Sequence, residues 1–234
     1  MNTETDRLVN GIQFIDGAID SRKLKDSQEY YALAVIKSLF PDDYKTLMKK
    51  ATDRPDLKNI DDLYGVEVTT ADSKNDNEDN RLLSIYSKDK KKKIKEKLEK
   101  HGKKVIETGG ISLLAGGGGY GVEKDNQLLI HSISEKIKSA AKYASNYKFL
   151  DLVVIKNERV PSNWDEEIFR CVDTALSQDK KMFRNVFVIY NEYCYWVNSD
   201  GTHEKIQINN GDRLKLLGRL TAEGVIKVED EEWK

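Results

Sequence analysis

The sequence predicts an α/β protein in which helices flank a mixed central sheet. Three segments indicate this class. The run FLDLVVI at 149–155 is apolar enough for a buried strand, and NVFVIYNEYCYWVN at 185–198 predicts one or two strands with a turn near Asn191. Between them, WDEEIFRCVDTAL at 164–176 has the apolar spacing of a helix. Strands that alternate with helices are typical of α/β folds.

The first predicted element is an amphipathic helix over residues 27–40. Ser27 is suited to cap its N-terminus, and Pro41 is expected to end it. Residues 42–53 predict a shorter helix or a turn.

An Asp-rich turn and a strand are predicted over residues 54–71. Apolar and polar residues alternate in GVEVTTA, which is typical of a strand with one buried face. Val66 and Val68 then face the core, while Glu67 and Thr69 share the opposite side.

A Lys/Gly-rich insertion is predicted over residues 72–126. It begins with a polar stretch at 72–80 and continues as a lysine-rich helix from about Arg81 to His101. Glycines then surround a short apolar strand at 111–115. The helix is either a solvated surface or an arm that contacts phosphates, and the residues expected to bind nucleic acid in the second case are Lys90, Lys91, Lys92, Lys93 and Lys95.

After the insertion, residues 126–148 predict a helix that follows a short strand. Apolar residues at helical spacing, beginning with Ile133 and Ile137, form a stripe along it, and lysines at 136, 138 and 142 stand beside the stripe.

We therefore expect a single domain over residues 1–234. Its core is predicted over 27–71 and 127–198. The insertion interrupts this core, and a C-terminal extension of short elements follows over 199–234.

Composition predicts a cytoplasmic protein without a membrane span. Lys and Arg total 39 and Asp and Glu total 40, so the net charge of −1 gives no overall attraction to nucleic acid. No apolar run approaches the ~20 residues that a membrane span requires, and the first residues lack an apolar signal core. Cys171 and Cys194 are expected to be reduced, buried thiols.

Two carboxylates predict a metal site. Asp56 and Glu67 lie eleven positions apart, on either side of a predicted turn, so a hairpin would bring them together. Mg²⁺ prefers oxygen ligands and retains several waters, and two carboxylates with the carbonyl of Val68 would suffice to hold it.

This arrangement resembles the PD-(D/E)XK nuclease superfamily, whose motif is Pro-Asp, a variable spacer and then Asp/Glu-x-Lys on the next strand. The matching residues are DRPD at 53–56 and GVEVT at 65–69, and the order of elements agrees over roughly residues 27–195. The resemblance implies a restriction-endonuclease-like fold, Mg²⁺ or Mn²⁺ as cofactor, and hydrolysis of phosphodiester bonds in DNA.

The chain departs from the motif at Thr69, where the resemblance implies a lysine that orients the attacking water and stabilises charge in the transition state. A lysine donated from the neighbouring helix would replace it, and the candidates are Lys136 and Lys138. The resemblance also implies two additional acidic candidates, Glu29 on the first helix and Asp53 before the Pro-Asp pair.

Three functions remain open at this stage. The first is a Mg²⁺-dependent endonuclease or exonuclease acting on DNA, or else on RNA, in a phage or bacterial defence setting. The second is a nuclease-fold protein without activity that binds nucleic acid or a protein partner as an inhibitor or regulator. The third is a nucleotide-binding enzyme that uses the glycines at 116–121, although this loop lacks the Walker lysine and hydroxyl. Dimerisation is left open.

Overall fold

A seven-stranded mixed sheet forms the centre of the protein in the computed structural model. The structure describes residues 21–49, 54–61, 63–72, 82, 91–100, 103–108, 111–116, 122–156, 163–179, 181–190 and 192–226. The strands of this sheet are β1 (Met48–Lys49), β2 (Leu57–Lys58), β3 (Tyr64–Thr70), β6 (Phe149–Ile155), β7 (Asn185–Ile189), β8 (Tyr193–Asn198) and β9 (His203–Gln207), in that spatial order.

The parallel strands lie in the middle of the sheet. β3, β6 and β7 run parallel to one another, and the strands on both sides pair antiparallel. The predicted α/β class and mixed sheet are therefore confirmed. The apolar run at 149–155 forms β6, and the segment 185–198 forms two strands, as predicted.

Helices cover both faces of the sheet. On one face, α1 (Ser21–Leu39) and the last helix, α6 (Gly211–Glu223), pack with Val66 and Val68 of β3. On the other face, α4 (Val122–Ala140) and α5 (Asp165–Leu176) pack with the alternate residues of β6 and β7. The predicted helix at 164–176 is α5.

The first helix begins earlier than predicted, at Ser21, and Ser27 lies inside it rather than at its N-cap. Helix α1 packs along α6, which the local sequence pattern does not reveal. Gly218 of α6 approaches so closely that a Cβ atom there would lie 2.7 Å from the backbone N of Tyr31. In addition, Lys23 Nζ donates to the carbonyl of Glu223 at 3.2 Å.

Helix α1 ends at Leu39, before Pro41 as predicted, and this proline opens the separate short helix α2 (Pro41–Tyr44). Proline fits the first position of a helix, where no intrahelical bond to its nitrogen is needed.

The insertion contains a helix and a hairpin. Within the predicted lysine-rich helix, α3 (Lys91–Lys100) is helical, and its buried residues Ile94 and Leu98 lie on the side that packs on β4 (Lys103–Thr108). β4 was not predicted, and it pairs with β5 (Ile111–Gly116), the predicted short strand. Residues 73–81 and the glycines at 117–119 and 121 lie outside the described residues.

The structure adds detail at two predicted boundaries. Helix α4 begins at Val122, inside the range assigned to the insertion, and no strand precedes it within residues 122–126. The C-terminal extension is integral to the fold: β9 extends the sheet, and α6 packs on α1.

Both cysteines are free and buried, as predicted. Burial raises the pKa of the Cys171 thiol to about 11, so the thiol is protonated at neutral pH. Among the described residues, no helix has the length and apolarity needed to cross a membrane.

Candidate active site

Glu67 lies in the middle of β3, on the face that carries α4. The predicted alternation holds, because Val66 and Val68 are buried on the opposite face against α1. Glu67 is itself 3% exposed, so its carboxylate is held beneath α4 rather than in solvent. A buried charge requires compensation by partners.

Asp56 stands beside Glu67 because β2 pairs with β3. Leu57 lies opposite Val66 in the antiparallel register, which places the preceding Asp56 next to the centre of β3. Its Oδ2 atom accepts a hydrogen bond of 2.8 Å from the backbone N–H of Val68. Asp56 is 6% exposed, so strand pairing brings two buried carboxylates together, as predicted.

Lys136 of α4 supplies a cation to both carboxylates. Its Nζ lies 2.5 Å from Glu67 Oε2 and 3.5 Å from Asp56 Oδ2. A single ammonium between the two groups shows that they converge on one position. The side chain is 22% exposed, so this position remains accessible from solvent.

The structure does not bring Lys138, the second candidate lysine, to the carboxylates. Its side chain is 67% exposed and pairs with Glu135 at 2.8 Å. Helix geometry explains the difference: at 3.6 residues per turn, Lys136 lies roughly 60° around the helix from the buried Ile133, whereas Lys138 lies about 140° away.

Tyr143 is a further contact of Glu67 that the sequence did not single out. Its hydroxyl donates a hydrogen bond to Glu67 Oε1. Burial, and then the bond to Glu67, raise the pKa of the Tyr143 phenol well above its ordinary value, so the group remains a neutral donor. Tyr143 follows the end of α4, so helical periodicity does not predict where its side chain points.

Glu29, the candidate on the first helix, lies near Asp56. It is 2% exposed, and Lys25 Nζ joins it to Asp56, with distances of 3.1 Å to Glu29 Oε1 and 3.0 Å to Asp56 Oδ1. Lys49 pairs with Glu29 Oε2 and lies 2.8 Å from Asp26. The roles of these two lysines were not predicted, although Lys25 precedes Glu29 by one helical turn, a spacing that favours ion pairs.

Among the described residues, three lysines of unequal exposure balance these three buried carboxylates. Lys49 and Lys136 are 19% and 22% exposed, while Lys25 is 68% exposed. Lys25 is the partner that can most easily leave, which would free Asp56 Oδ1 for another cation.

The donor set fits a hard divalent cation that retains water. In the part of the chain that the structure describes, no three His, Cys, Asp or Glu side chains gather into a group able to hold a metal ion. Mg²⁺ is usually bound by one or two carboxylates and several waters, so Asp56 and Glu67 meet that requirement, with the Val68 carbonyl as the predicted third protein ligand.

The remaining predicted residues fall into three groups. Thr69 is half-buried, one position beyond Val68 on the Glu67 side of β3, and offers no charge. Asp53 and Lys90 lie outside the described residues. The other lysines proposed to bind nucleic acid are exposed on α3, and they are Lys91, Lys92, Lys93 and Lys95.

Comparison with known proteins identifies no relative. No protein-family model, curated protein or solved structure matches the chain.

Proposed function

We propose that this chain is a metal-dependent nuclease that hydrolyses phosphodiester bonds in DNA, on a restriction-endonuclease-like fold. One observation carries the proposal: the ammonium of Lys136 lies between two buried carboxylates, those of Asp56 and Glu67. A lysine beside two acidic residues is the charge arrangement that the motif requires, with the lysine donated by a helix instead of by position 69.

The sheet topology supports the same fold. β3 carries Glu67 in the middle of a mixed sheet, its parallel neighbour β6 is buried, and α4 crosses the face on which Glu67 lies. Glu29 on the first helix adds the acidic residue that the resemblance places there.

Each residue has a role in this proposal. Asp56, Glu67 and the Val68 carbonyl would hold the cation, and Val68 N–H fixes the Asp56 carboxylate by its hydrogen bond. A divalent cation bound there supplies positive charge to the reacting phosphate and lowers the pKa of the attacking water. Lys136 orients that water and stabilises negative charge in the transition state. Tyr143 fixes the rotamer of Glu67 by its hydrogen bond to Oε1. The other oxygen, Oε2, which contacts Lys136, is then left to hold the cation.

Substrate binding is assigned to cations outside this centre. On α3 the residues Ile94 and Leu98 are buried, whereas the lysines at 91, 92, 93 and 95 are exposed. Exposed cations contact phosphates without reading sequence, and the resulting affinity decreases with added salt.

Cleavage of labelled DNA tests the proposal. Wild type and Glu67→Gln are incubated with linear duplex and single-stranded DNA in Mg²⁺ or Mn²⁺, with EDTA as the blank. The matched control is Glu135→Gln, which changes an exposed glutamate on α4 one residue before Lys136. We expect wild type and Glu135→Gln to cut, and Glu67→Gln to lose roughly 10²-fold or more of that activity.

Two results would overturn the proposal. One is cleavage by Glu67→Gln at the wild-type rate, which would assign the activity to another site or to a contaminant. The other is no cleavage by wild type with any of these substrates and metals. The second result favours a nuclease-fold protein that binds nucleic acid or a protein partner without cutting.

A further inference from the structure

A groove of about 360 Å³ opens at the start of β6, away from the carboxylates. Its walls include three cationic side chains, Lys148, Lys181 and Arg184, and two aromatic ones, Tyr147 and Phe149. Asp179 is the one acidic residue among its lining residues. We call this feature the Phe149 groove. Its volume lies within the range of about 300–1,000 Å³ typical of small-molecule pockets, so it can accept a group of nucleotide size.

Phe149 is an exposed aromatic ring beside two cations. It is 38% exposed although it begins a strand whose following residues are buried. Lys148 Nζ lies 5.3 Å and Arg184 Cζ 4.9 Å from the centre of its ring. Arg184 is fixed by its ion pair of 3.1 Å with the fully buried Asp151, whereas Lys148 is an exposed side chain that can move aside.

A chain of aromatic contacts connects the groove with the candidate active site. The ring of Tyr147 in the groove meets the ring of Tyr143 edge-on, with 6.4 Å between their centres. Tyr143 in turn donates its hydroxyl to Glu67. Two more cations border this path: Lys58 Nζ lies 5.6 Å from the Tyr147 ring, and Arg54 Cζ lies 5.8 Å from the Tyr143 ring.

We propose that the Phe149 groove binds an unpaired nucleic-acid strand and leads it to the carboxylates, so that the substrate of the proposed nuclease is single-stranded or frayed DNA. Cations beside exposed rings match a polyanion that carries flat apolar groups. Bases stack on aromatic side chains only when they are not stacked on one another, so an exposed ring favours a single strand over a duplex. This inference rests on the proposed function for cleavage, but not for binding.

Binding without cleavage tests the groove directly. Fluorescence anisotropy of a labelled oligothymidine is measured in EDTA, with a duplex of equal length in parallel. Phe149→Leu keeps an apolar side chain for packing but removes the ring. We expect this variant to bind the single strand roughly 5- to 100-fold more weakly, while duplex binding changes less than threefold, as follows from the contribution of base stacking. The control is Val225→Ala, at an apolar residue that is 54% exposed on another part of the surface.

The salt dependence of binding tests the cations separately. Each phosphate contact contributes about 0.7 to the slope of log K against log salt for a single strand, so Lys148→Ala combined with Lys181→Ala should reduce the slope by about 1.4. The control is Lys205→Ala on β9, where the ammonium lies 4.1 Å from the Tyr193 ring in a comparable aromatic contact. This control should leave the slope unchanged.

The outcomes separate this inference from the proposed function. If Glu67→Gln abolishes cleavage but Phe149→Leu binds oligothymidine like wild type and melts at the same temperature, the groove assignment is wrong and the nuclease assignment stands. If wild type never cuts but Phe149→Leu selectively loses single-strand binding, the groove assignment stands and the nuclease assignment fails. Equal loss of single-strand and duplex binding in Phe149→Leu would also overturn the inference.

Discussion

Replacing Lys136 with methionine should lower the cleavage rate and increase the stabilisation that added metal gives to the folded state. The ammonium of Lys136 lies 2.5 Å from Glu67 Oε2 and 3.5 Å from Asp56 Oδ2, and both carboxylate side chains are 4% exposed. Methionine is similar in length but uncharged, so the variant leaves two buried negative charges without this partner.

The size of the effect follows from burial. Removing one partner of a buried ion pair costs about 3–5 kcal/mol of unfolding free energy, and the 22% exposure of Lys136 places the loss near the lower limit, about 3 kcal/mol. For a chain of 234 residues, that loss lowers the melting temperature by about 6–12 °C without metal. Cleavage should decrease roughly 10²- to 10³-fold, because a preorganised positive charge is lost from the transition state.

Added Mg²⁺ should then restore more stability to Lys136→Met than to wild type, because the ammonium no longer competes for the two carboxylates. A ligand present at about 100 times its dissociation constant stabilises the folded state by about 2.7 kcal/mol. The measurement is thermal unfolding across a Mg²⁺ titration, with cleavage rates on the same preparations.

Lys138→Met provides the control, because Lys138 lies on the same helix but is 67% exposed and its ammonium pairs with the exposed Glu135. Its melting temperature and its cleavage rate should stay close to wild type. The reasoning is refuted if Lys136→Met cuts within threefold of the wild-type rate, or if Mg²⁺ raises its melting temperature less than it raises that of wild type.

Three other changes test the surroundings of the site. Tyr143→Phe should lower cleavage by roughly tenfold or more, in line with the loss of one hydrogen bond to a charged group. Because the pKa of Tyr143 is raised, the ratio of the variant's cleavage rate to that of wild type should not vary between neutral and mildly alkaline pH. Gly65→Ala should lose about 1–3 kcal/mol of unfolding free energy in urea denaturation, because its Cβ would overlap the ring of Pro55; a variant as stable as wild type would contradict this packing. Asp151→Asn should lose at least about 3 kcal/mol of unfolding free energy in the same assay, because the substitution removes the fully buried negative charge that pairs with Arg184. An unchanged urea midpoint would contradict this role.

Much of the site could be predicted from local pattern. Alternation in β3 places Glu67 on the side opposite Val66, and a hairpin brings Asp56 beside it. Helical periodicity places both Lys136 and Lys138 beside the apolar stripe of α4, and the structure selects Lys136 as the one that reaches the carboxylates. These features depend on residues that are close in sequence, or on the regular repeat of side chains along a strand or a helix.

The unpredicted features depend on contacts between distant segments. Helix α1 packs against α6, almost two hundred residues later, with Gly218 beside Tyr31 and with Lys23 of the added turns bonded to the carbonyl of Glu223. Tyr143 reaches Glu67 only because the chain turns after the end of α4. Such contacts leave no periodic signal in the sequence, so local pattern could not place the start of α1 or identify the second donor to Glu67.

The position of a bound cation tests the central claim most directly. Crystals grown with Mn²⁺ in place of Mg²⁺ would give an anomalous scattering peak at the metal. We predict one peak within coordination distance of carboxylate oxygens of both Asp56 and Glu67. That distance is about 2.1 Å for Mg²⁺. The peak should be absent in crystals of Glu67→Gln. A peak elsewhere, or none at these carboxylates in crystals of protein that cuts DNA with Mn²⁺, would contradict the assignment of this site.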